Sequence, residues 1–404
     1  MRVEHLSLTN FRNYARLELT LPTQPLVLVG ENAQGKTTLL ESLYYLATAR
    51  SPYTTSDRQL IHWRTENDPL PFARLVGDIQ RQGRRITLDM TLVLDNTAVN
   101  PRFRKTIRIN NVEKRVMDAV GLLNAVMFLP RDLTLVEGAP SHRRDFMNET
   151  LSQVDADYLK ALDDYEKHMA QRNALLRRIA EKRARPVELT YWDEQLSASG
   201  AVLIAGRQRF LRELEDRAQR QHQALTGGQE LLTLQYQPSF APTARADGQR
   251  SFDLLGLDLH RELTPEEITP QFLEQLQREQ RDSIERGATL SGPHRDELRM
   301  LVNGRDCGLF GSRGQARTVV LALKLAELSW MRDQIGEPPL LLLDEVIAEL
   351  DSKRRAYLLS QLGEDAQTLV TTTDTDVFPP EFLARAVVWR VHNGQIVQDV
   401  MKGK

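Results

Sequence analysis

Two halves of one chemical site lie 308 residues apart (344 − 36) in this chain, and that separation limits the folds open to it. The first half is Gly30-Glu31-Asn32-Ala33-Gln34-Gly35-Lys36-Thr37, which fits G-x-x-x-x-G-K-[ST]. It follows the apolar run Leu26-Val27-Leu28-Val29 and precedes Leu39, Leu40, Leu43 and Leu46 at helical spacing. A strand before and a helix after are the context such a loop needs. Its glycines let the backbone approach a phosphate chain, and successive N–H groups at the positive helix end face the anion. ATP binding is therefore expected at Gly30, Glu31, Asn32, Ala33, Gln34, Gly35, Lys36, Thr37 and Thr38. Lys36 is expected on the β- and γ-phosphates and Thr37 on Mg²⁺.

The second half is Leu340-Leu341-Leu342-Leu343-Asp344-Glu345, a buried strand ending in two carboxylates. Asp344 is expected to hold Mg²⁺ through water, and Glu345 to act as the general base that activates the attacking water. With Lys36, these form the expected catalytic set. Alone, an apolar strand ending in acids is common. Combined with the loop it implies that the two ends of the chain meet to build one site.

A third device stands between them. Gly311-Ser312-Arg313-Gly314-Gln315 opens a helix, and a helix N-terminus attracts anions. A plain helix cap by Ser312 explains the turn by itself. In order with the other two motifs, Ser312, Arg313, Gly314 and Gln315 read as a signature that caps the γ-phosphate of ATP held by another subunit. Ala348-Glu349-Leu350-Asp351 follows, where such enzymes carry the loop that crosses the dimer interface, with Asp351 its acid. Thr373 stands where transport enzymes of this kind place a switch histidine, which argues for slow turnover.

The segment between the halves changes character. Val3–Thr9 and Leu17–Leu21 alternate like strands, and residues 73–115 look rich in hairpins, with turns at Gly83 and Asn110-Asn111. From Ser141 to Arg185 there is neither Gly nor Pro. Leu151, Val154, Tyr158, Leu162, Tyr165, Met169, Leu176 and Ile179 recur every three or four residues, with Arg172 in one gap. After Pro186 comes a second seam of Trp192, Leu196, Leu203, Phe210 and Leu214. Two long helices, each roughly 45–60 Å, follow from this pattern, as an antiparallel arm or as part of an ordinary bundle. Residues 226–262, with Gly227-Gly228 and Gly248, look rich in loops, and a helix is predicted from Pro265 to about Arg286. Asn393-Gly394 predicts a closing hairpin. The fold class is α/β: an ABC-type P-loop ATPase head with an inserted helical arm. Its expected parts are residues 1–140, 141–286 and 287–404.

Composition removes other classes. The single cysteine, Cys307, forbids an internal disulfide and reads as an inert, partly buried thiol. No apolar run approaches the roughly 20 residues of a membrane span, so a cytoplasmic protein with no membrane partner is expected. A net charge of −2 argues against coating nucleic acid by bulk charge. Two local basic clusters remain, with Arg102, Arg104, Lys105 and Arg108 in one and Arg177, Arg178, Lys182 and Arg183 in the other. Each is either a phosphate-contacting face for DNA or a solvated face. The four tryptophans read as packing residues.

The chain resembles the RecF family nearly end to end. The resemblance rests on Leu8-Thr9-Asn10-Phe11-Arg12-Asn13-Tyr14, on Gly35-Lys36-Thr37 with Leu39-Leu40-Glu41, and on Ser141 to Phe146. Gly292-Pro293-His294-Arg295-Asp296 and Gly311 to Gln315 complete it. Thr38, Asn148 and Glu297 depart from the family's usual residues, and Pro130-Arg131-Asp132 stands in the region of the glutamine loop of transporters. The resemblance implies a Rad50- or SMC-like head with a shorter arm, and ATP and Mg²⁺ as cofactors. It implies homodimerisation on ATP, weak ATP hydrolysis, and binding to duplex DNA and single-strand/double-strand junctions. It also implies partnership with RecR and RecO in loading RecA. Arg12 is either a further ATP contact, as in Rad50-like heads, or a strand-capping residue. His294 reads as structural. The competing classes are a transporter-type ATPase subunit and an OLD-like ATPase. The helical insertion and Thr373 disfavour the first, and no acidic nuclease domain supports the second.

Overall fold

The computed structural model describes residues 1–66, 68–97, 101–240, 262–363 and 365–398. Gly248 lies outside these. The chain divides into two compact units, Met1–Asp132 with Met331–Lys404, and Leu133–Trp330. The divisions fall at 132/133 and 330/331 rather than at the expected 140/141 and 286/287. The signature turn at Ser312 consequently groups with the helical residues and not with the phosphate loop.

The first unit holds two six-stranded sheets. One is antiparallel throughout, in the order Tyr14–Thr20, Arg2–Phe11, Phe72–Arg81, Arg84–Asp95, Arg102–Ile109, Val112–Lys114. Its hairpins turn at Gln82-Gly83 and Asn110-Asn111, all in the left-handed region that tight hairpins require. The other sheet runs Gln395–Gln398, Val387–His392, Leu26–Val29, Thr368–Thr372, Leu340–Asp344, Ala125–Phe128. Four of its five pairings are parallel, and the closing hairpin at Asn393-Gly394 is antiparallel. Parallel strands covered on both faces must be apolar on both faces. This is why Leu340–Asp344 and Thr368–Thr372 are buried at every position. The helix Lys36–Thr48 leaves the end of strand Leu26–Val29 and buries Leu39, Leu40, Leu43 and Leu46 in one core with Leu8, Leu75, Leu88 and Leu342. That core is shared by both sheets, so the helix start is fixed from two sides.

The second unit is built on the helical hairpin. The predicted first helix is two: Pro140–Ser152 and Ala156–Ala180. Asp155 breaks it, because its carboxylate accepts the Tyr158 N–H at 2.9 Å and starts a new helix. Leu189–Thr226 runs back antiparallel, as Arg172–Asp193, Tyr165 beside Gly200 and Tyr158 beside Gly206 all place rising numbers against falling ones. At about 1.5 Å per residue the two helices measure about 38 and 57 Å. They do not form a bare arm. The long helix also packs on helix Pro265–Arg278 and strand Leu232–Gln237, which the loop-rich reading of 226–262 missed. That strand pairs with Glu297–Val302. The helix predicted over 265–286 is interrupted once, at Glu279.

Buried ions organise this unit. Arg207 is enclosed and donates to Asp296 at 2.9 Å, to the Pro293 carbonyl at 2.7 Å, to Asn148 at 3.0 Å and to the Tyr158 hydroxyl at 3.2 Å. Tyr236 also donates to Asp296. Arg143 grips Glu297 with two bonds of 2.6 and 2.7 Å. Gly292 sits at φ 128°, where a Cβ would meet Tyr165 Oη at 2.5 Å and Phe272 at 2.7 Å. The Gly292–Asp296 stretch is thus a packing device in this unit; of the positions that depart from the family's usual residues, Asn148 belongs to the Arg207 network and Glu297 pairs with Arg143. Arg172, which fills the gap in the apolar seam, is buried against Asp193 at 2.6 Å. Cys307 is buried, and burial pushes its thiol up to about 11, which keeps it protonated.

His294 shares a 2.7 Å bond with the Tyr165 hydroxyl, and burial pulls its imidazole down to about 4. In the unfolded chain it titrates near its ordinary 6.5. Between these values the unfolded state binds the extra proton, so stability falls as pH drops from about 6.5 to about 4. Urea midpoints across this window should show that acid loss in the wild type and a shallower one in His294→Asn. Equal slopes would remove His294 as its source.

Candidate functional site

The site lies at the C-terminal ends of three neighbouring parallel strands. Leu26–Val29 delivers the glycine loop, Leu340–Asp344 delivers the acids, and Thr368–Thr372 lies between them. Thr371 pairs in register with both Leu28 and Asp344. The intervening strand therefore sets the distance between the two halves.

Lys36 is buried and curls back over its own loop, donating to the Gly30 carbonyl at 2.6 Å and the Glu31 carbonyl at 2.9 Å. Its Nζ stands 3.3 Å from Glu345. The Thr37 hydroxyl donates to Asp344, with contacts of 2.9 and 3.1 Å. Asp344 also accepts from Tyr53 at 2.6 Å and Thr371 at 2.8 Å. Thr371 accepts in turn from the Glu345 N–H at 2.9 Å. One hydroxyl thus tethers both acids. Glu345 sits at φ 54°, a strained value for a β-substituted residue, and caps the short helix Val346–Glu349. Burial and the Asp344 charge push the Tyr53 phenol well up, so it stays a donor.

Gly35 is braced from the antiparallel sheet. The Tyr14 hydroxyl donates to its carbonyl at 3.0 Å. At φ 113° only glycine fits, since a Cβ would lie 2.8 Å from Asn13 and 2.9 Å from Tyr14. Gln34 is held from the other side, accepting from the Gly394 N–H at 3.0 Å and the Asn393 N–H at 2.6 Å. A cleft of about 380 Å³ opens over the loop, walled by Lys36, Thr37, Thr38, Arg12, Trp63 and Glu345 among others. It offers backbone N–H groups, a lysine and hard oxygen donors, a set that suits a polyphosphate with a divalent cation. Among the described residues no cluster of three or more His, Cys, Asp or Glu could hold a metal unaided. Mg²⁺ needs no such cage, because one or two carboxylates suffice when phosphates supply the rest. Thr37 and Asp344 fit that role.

The family model described as RecF/RecN/SMC N terminal domain matches residues 2–389. The DNA replication and repair protein RecF of Chloroflexus aurantiacus is 41% identical over 98% of this chain and 99% of its own. The chain belongs to the RecF family. The RecF of Bacillus subtilis is 37% identical over 98% of this chain and all of its own length. A solved structure of the recombination mediator protein RecF-ATP in the RecFOR pathway superposes with a TM-score of 0.82 at 26% identity, covering 98% of this chain and 97% of that one. An SMC head bound to the C-winged helix domain of ScpA matches in fold, with a TM-score of 0.52 at 14% identity over 100% of this chain and 98% of that one. The α/β class and the ABC-type head both follow.

Within this RecF-family chain the expected residues divide. Ala33 to Thr38 and Glu345 line one cleft, Gly30 and Glu31 join it through Lys36, and Asp344 joins it through Thr37. Arg12 lines it, yet its guanidinium is engaged by Glu41 at 2.7 and 3.0 Å and by the Gln59 carbonyl at 3.2 Å. Asp351 caps helix Ser352–Gln361 and accepts the Arg354 N–H at 2.9 Å. Thr373 is exposed beyond its strand, and Thr371 is the threonine that touches the acids. Ser312 and Gln315, in the second unit, form a reciprocal cap, with Ser312 N–H donating at 2.9 Å and Gln315 N–H donating back at 3.2 Å. The turn is solvent-exposed, as are Leu309 and Phe310 before it.

In strand Arg102–Ile109 the pleat exposes Arg102, Arg104 and Arg108 on one face. Lys105 points to the other, where Asp57 at 2.6 Å, the Ala49 carbonyl at 2.8 Å and the Tyr45 ring hold it. It leaves the candidate DNA set, because period-two geometry separates it from its neighbours. Arg177, Arg178, Lys182 and Arg183 are all exposed.

Tyr53, Thr371, Tyr14 and Glu41 were missed. Each lies outside any phosphate motif and reaches the site only through tertiary packing. Arg131, from the Pro130-Arg131-Asp132 turn, reaches it indirectly, 5.2 Å over the Tyr53 ring. Trp63 departs from the packing role expected of tryptophans, being 67% exposed. Thr371→Val removes the shared tether. A loss of about 1–3 kcal/mol in unfolding free energy is expected by urea titration, since a buried carboxylate and an N–H both lose a partner. An unchanged midpoint would show that the tether carries no weight.

Proposed function

We propose that two copies of this chain close around ATP–Mg²⁺ and that the closed dimer is the DNA-binding form of a recombination mediator. The observation that carries this is the meeting of Lys36 and Thr37 with Asp344 and Glu345 in an open cleft of a RecF-family chain. Lys36 and the loop N–H groups bind the phosphates. Thr37 and Asp344 hold Mg²⁺, which supplies charge neutralisation at the β- and γ-phosphates. Glu345, with its partly open carboxylate, is the base that takes a proton from the attacking water. The signature residues Ser312, Arg313, Gly314 and Gln315 of the second copy cap the γ-phosphate, and Asp351 lies on the loop at that interface. Support for a missing partner comes from Leu309 and Phe310, 70% and 75% exposed directly before Ser312.

Hydrolysis is weak and serves as a switch. Thr373 in place of a histidine supports this, because threonine offers no proton acceptor near neutral pH. DNA is gripped through its backbone by Arg102, Arg104 and Arg108 and by Arg177, Arg178, Lys182 and Arg183, without base reading. Duplex DNA and single-strand/double-strand junctions are the targets. The related RecF belongs to the RecFOR pathway, which supports RecR and RecO as partners and RecA loading as the outcome. No described helix is long and apolar enough to cross a membrane.

Light scattering with and without ATP–Mg²⁺ tests the core of this. The wild type should double in mass with ATP. Lys36→Met should stay monomeric and lose nucleotide binding. Ser312→Arg should bind nucleotide and stay monomeric, while Glu345→Gln should persist as a dimer. Normal dimerisation by Ser312→Arg would overturn the signature assignment. A second test uses Arg102→Glu with Arg104→Glu and Arg108→Glu. Duplex affinity should fall and its logarithmic salt slope should flatten by about one unit per lost phosphate contact. An unchanged slope would take this face out of the DNA path.

A further inference from the structure

We propose that Trp63 is the platform on which the base of the bound nucleotide stacks. The proposal rests on the reading of the glycine-loop cleft as a nucleoside triphosphate site. Trp330 and Trp389 are buried at 3% and 5% exposure, whereas Trp63 is 67% exposed. An open indole face offers a stacking plane to a flat ligand. It lines the same cleft as Lys36 and Glu345, so whatever occupies that cleft meets the ring.

The ring is positioned by an ordered turn. Ile61 forms a β-bridge with Phe11, the His62 N–H donates to the Asn10 carbonyl at 2.8 Å, and the Arg12 N–H donates to the Leu60 carbonyl at 2.7 Å. His62 then starts the short 3₁₀ turn Trp63–Thr65. Its Nδ1 accepts the Arg64 N–H at 3.0 Å, and its carbonyl accepts the Thr65 hydroxyl at 2.8 Å. Residues 10–12 run straight into Asn13 and Tyr14, the pair that braces Gly35. One strand end therefore fixes both the phosphate loop and the indole. The Arg64 guanidinium lies 5.2 Å from the ring centroid, adding a cation to the same platform.

The chemistry follows from this division. The loop recognises phosphates and has nothing that recognises a base. An aromatic plane recognises any base by its π-face and is indifferent to base identity. Trp63 therefore adds affinity for ATP and GTP alike and contributes nothing to a ligand that lacks a base.

The test is calorimetric titration in Mg²⁺ buffer with three probes: ATP, GTP and inorganic tripolyphosphate. Trp63→Ala should weaken ATP and GTP each about ten-fold, the size of one base–aromatic stack, and leave tripolyphosphate unchanged. Trp63→Phe should restore most of the loss. ATP should quench part of the indole emission of the wild type and not of Trp63→Phe, whereas tripolyphosphate should quench neither. ATP affinity equal in wild type and Trp63→Ala overturns the proposal. So does an equal loss for ATP and tripolyphosphate, which would make Trp63 a support for the loop. A wild type that binds neither ATP nor tripolyphosphate overturns the nucleotide reading itself and this proposal with it.

Discussion

Strand Leu26–Val29 is hydrogen-bonded on both sides by strands from the far end of the chain, Thr368–Thr372 and Val387–His392. Everything at the site depends on that insertion. The first forty residues carry the phosphate loop, and the last seventy carry the acids, the tether at Thr371 and the hairpin that holds Gln34. Other long-range ties strengthen it. Gln367 brackets the Val3 backbone with bonds of 2.7 and 2.9 Å, and the N-terminal ammonium lies 2.9 Å from Glu337. Parallel pairing across so long a connection is entropically slow to form. A truncated or partly made chain holds the glycine loop without its acids, so nucleotide chemistry is withheld until the C-terminal strands are in place.

The electrostatics at Asp344 suit a carboxylate that takes a cation. Its carboxylate accepts from three hydroxyls, on Thr37, Tyr53 and Thr371, each from a different segment. None of these donors carries a charge, so a divalent cation meets a carboxylate whose negative charge is oriented but not neutralised. Lys36 is in the matching position. It donates to two carbonyls and stands 3.3 Å from Glu345, and a phosphate would bring it full negative charge that the carbonyls lack.

Those parts of the site that follow from local spacing were legible in the sequence. The glycine loop, the strand–acid end at Asp344 and the hairpins at Gly83, Asn110 and Asn393 each need particular residues at adjacent positions. The break at Asp155 was hidden because its apolar seam continues in register, and only the Asp155 carboxylate competing for the Tyr158 N–H reveals it. Lys105 looked equivalent to Arg104 until the strand's alternation put them on opposite faces. Thr371 and Tyr53 carry no motif, since a lone hydroxyl gains its role from the carboxylate that packing brings to it. The breadth of the helical insertion was hidden for a related reason. Its outer faces are covered by residues distant in sequence, such as Phe272 and Tyr236, which no heptad count includes.

The cap at Ser312 has two readings, a helix start and an anion contact, and the geometry makes them compatible. The Ser312 oxygen accepts the Gln315 N–H, which uses a lone pair and leaves its own O–H free to donate. The cap orients the hydroxyl without consuming the donor that a phosphate needs. Its neighbours fit the same logic: Leu309 and Phe310 offer apolar area and Arg313 offers charge, all exposed. On the dimer reading, nucleotide favours association only by the affinity it gains in the closed state over the open one. The Gly30–Thr37 loop binds phosphates in either state and so contributes nothing to that difference. On that reading the difference comes from the second copy's Ser312 turn, and a substitution there would separate binding from dimerisation where one at Lys36 would not.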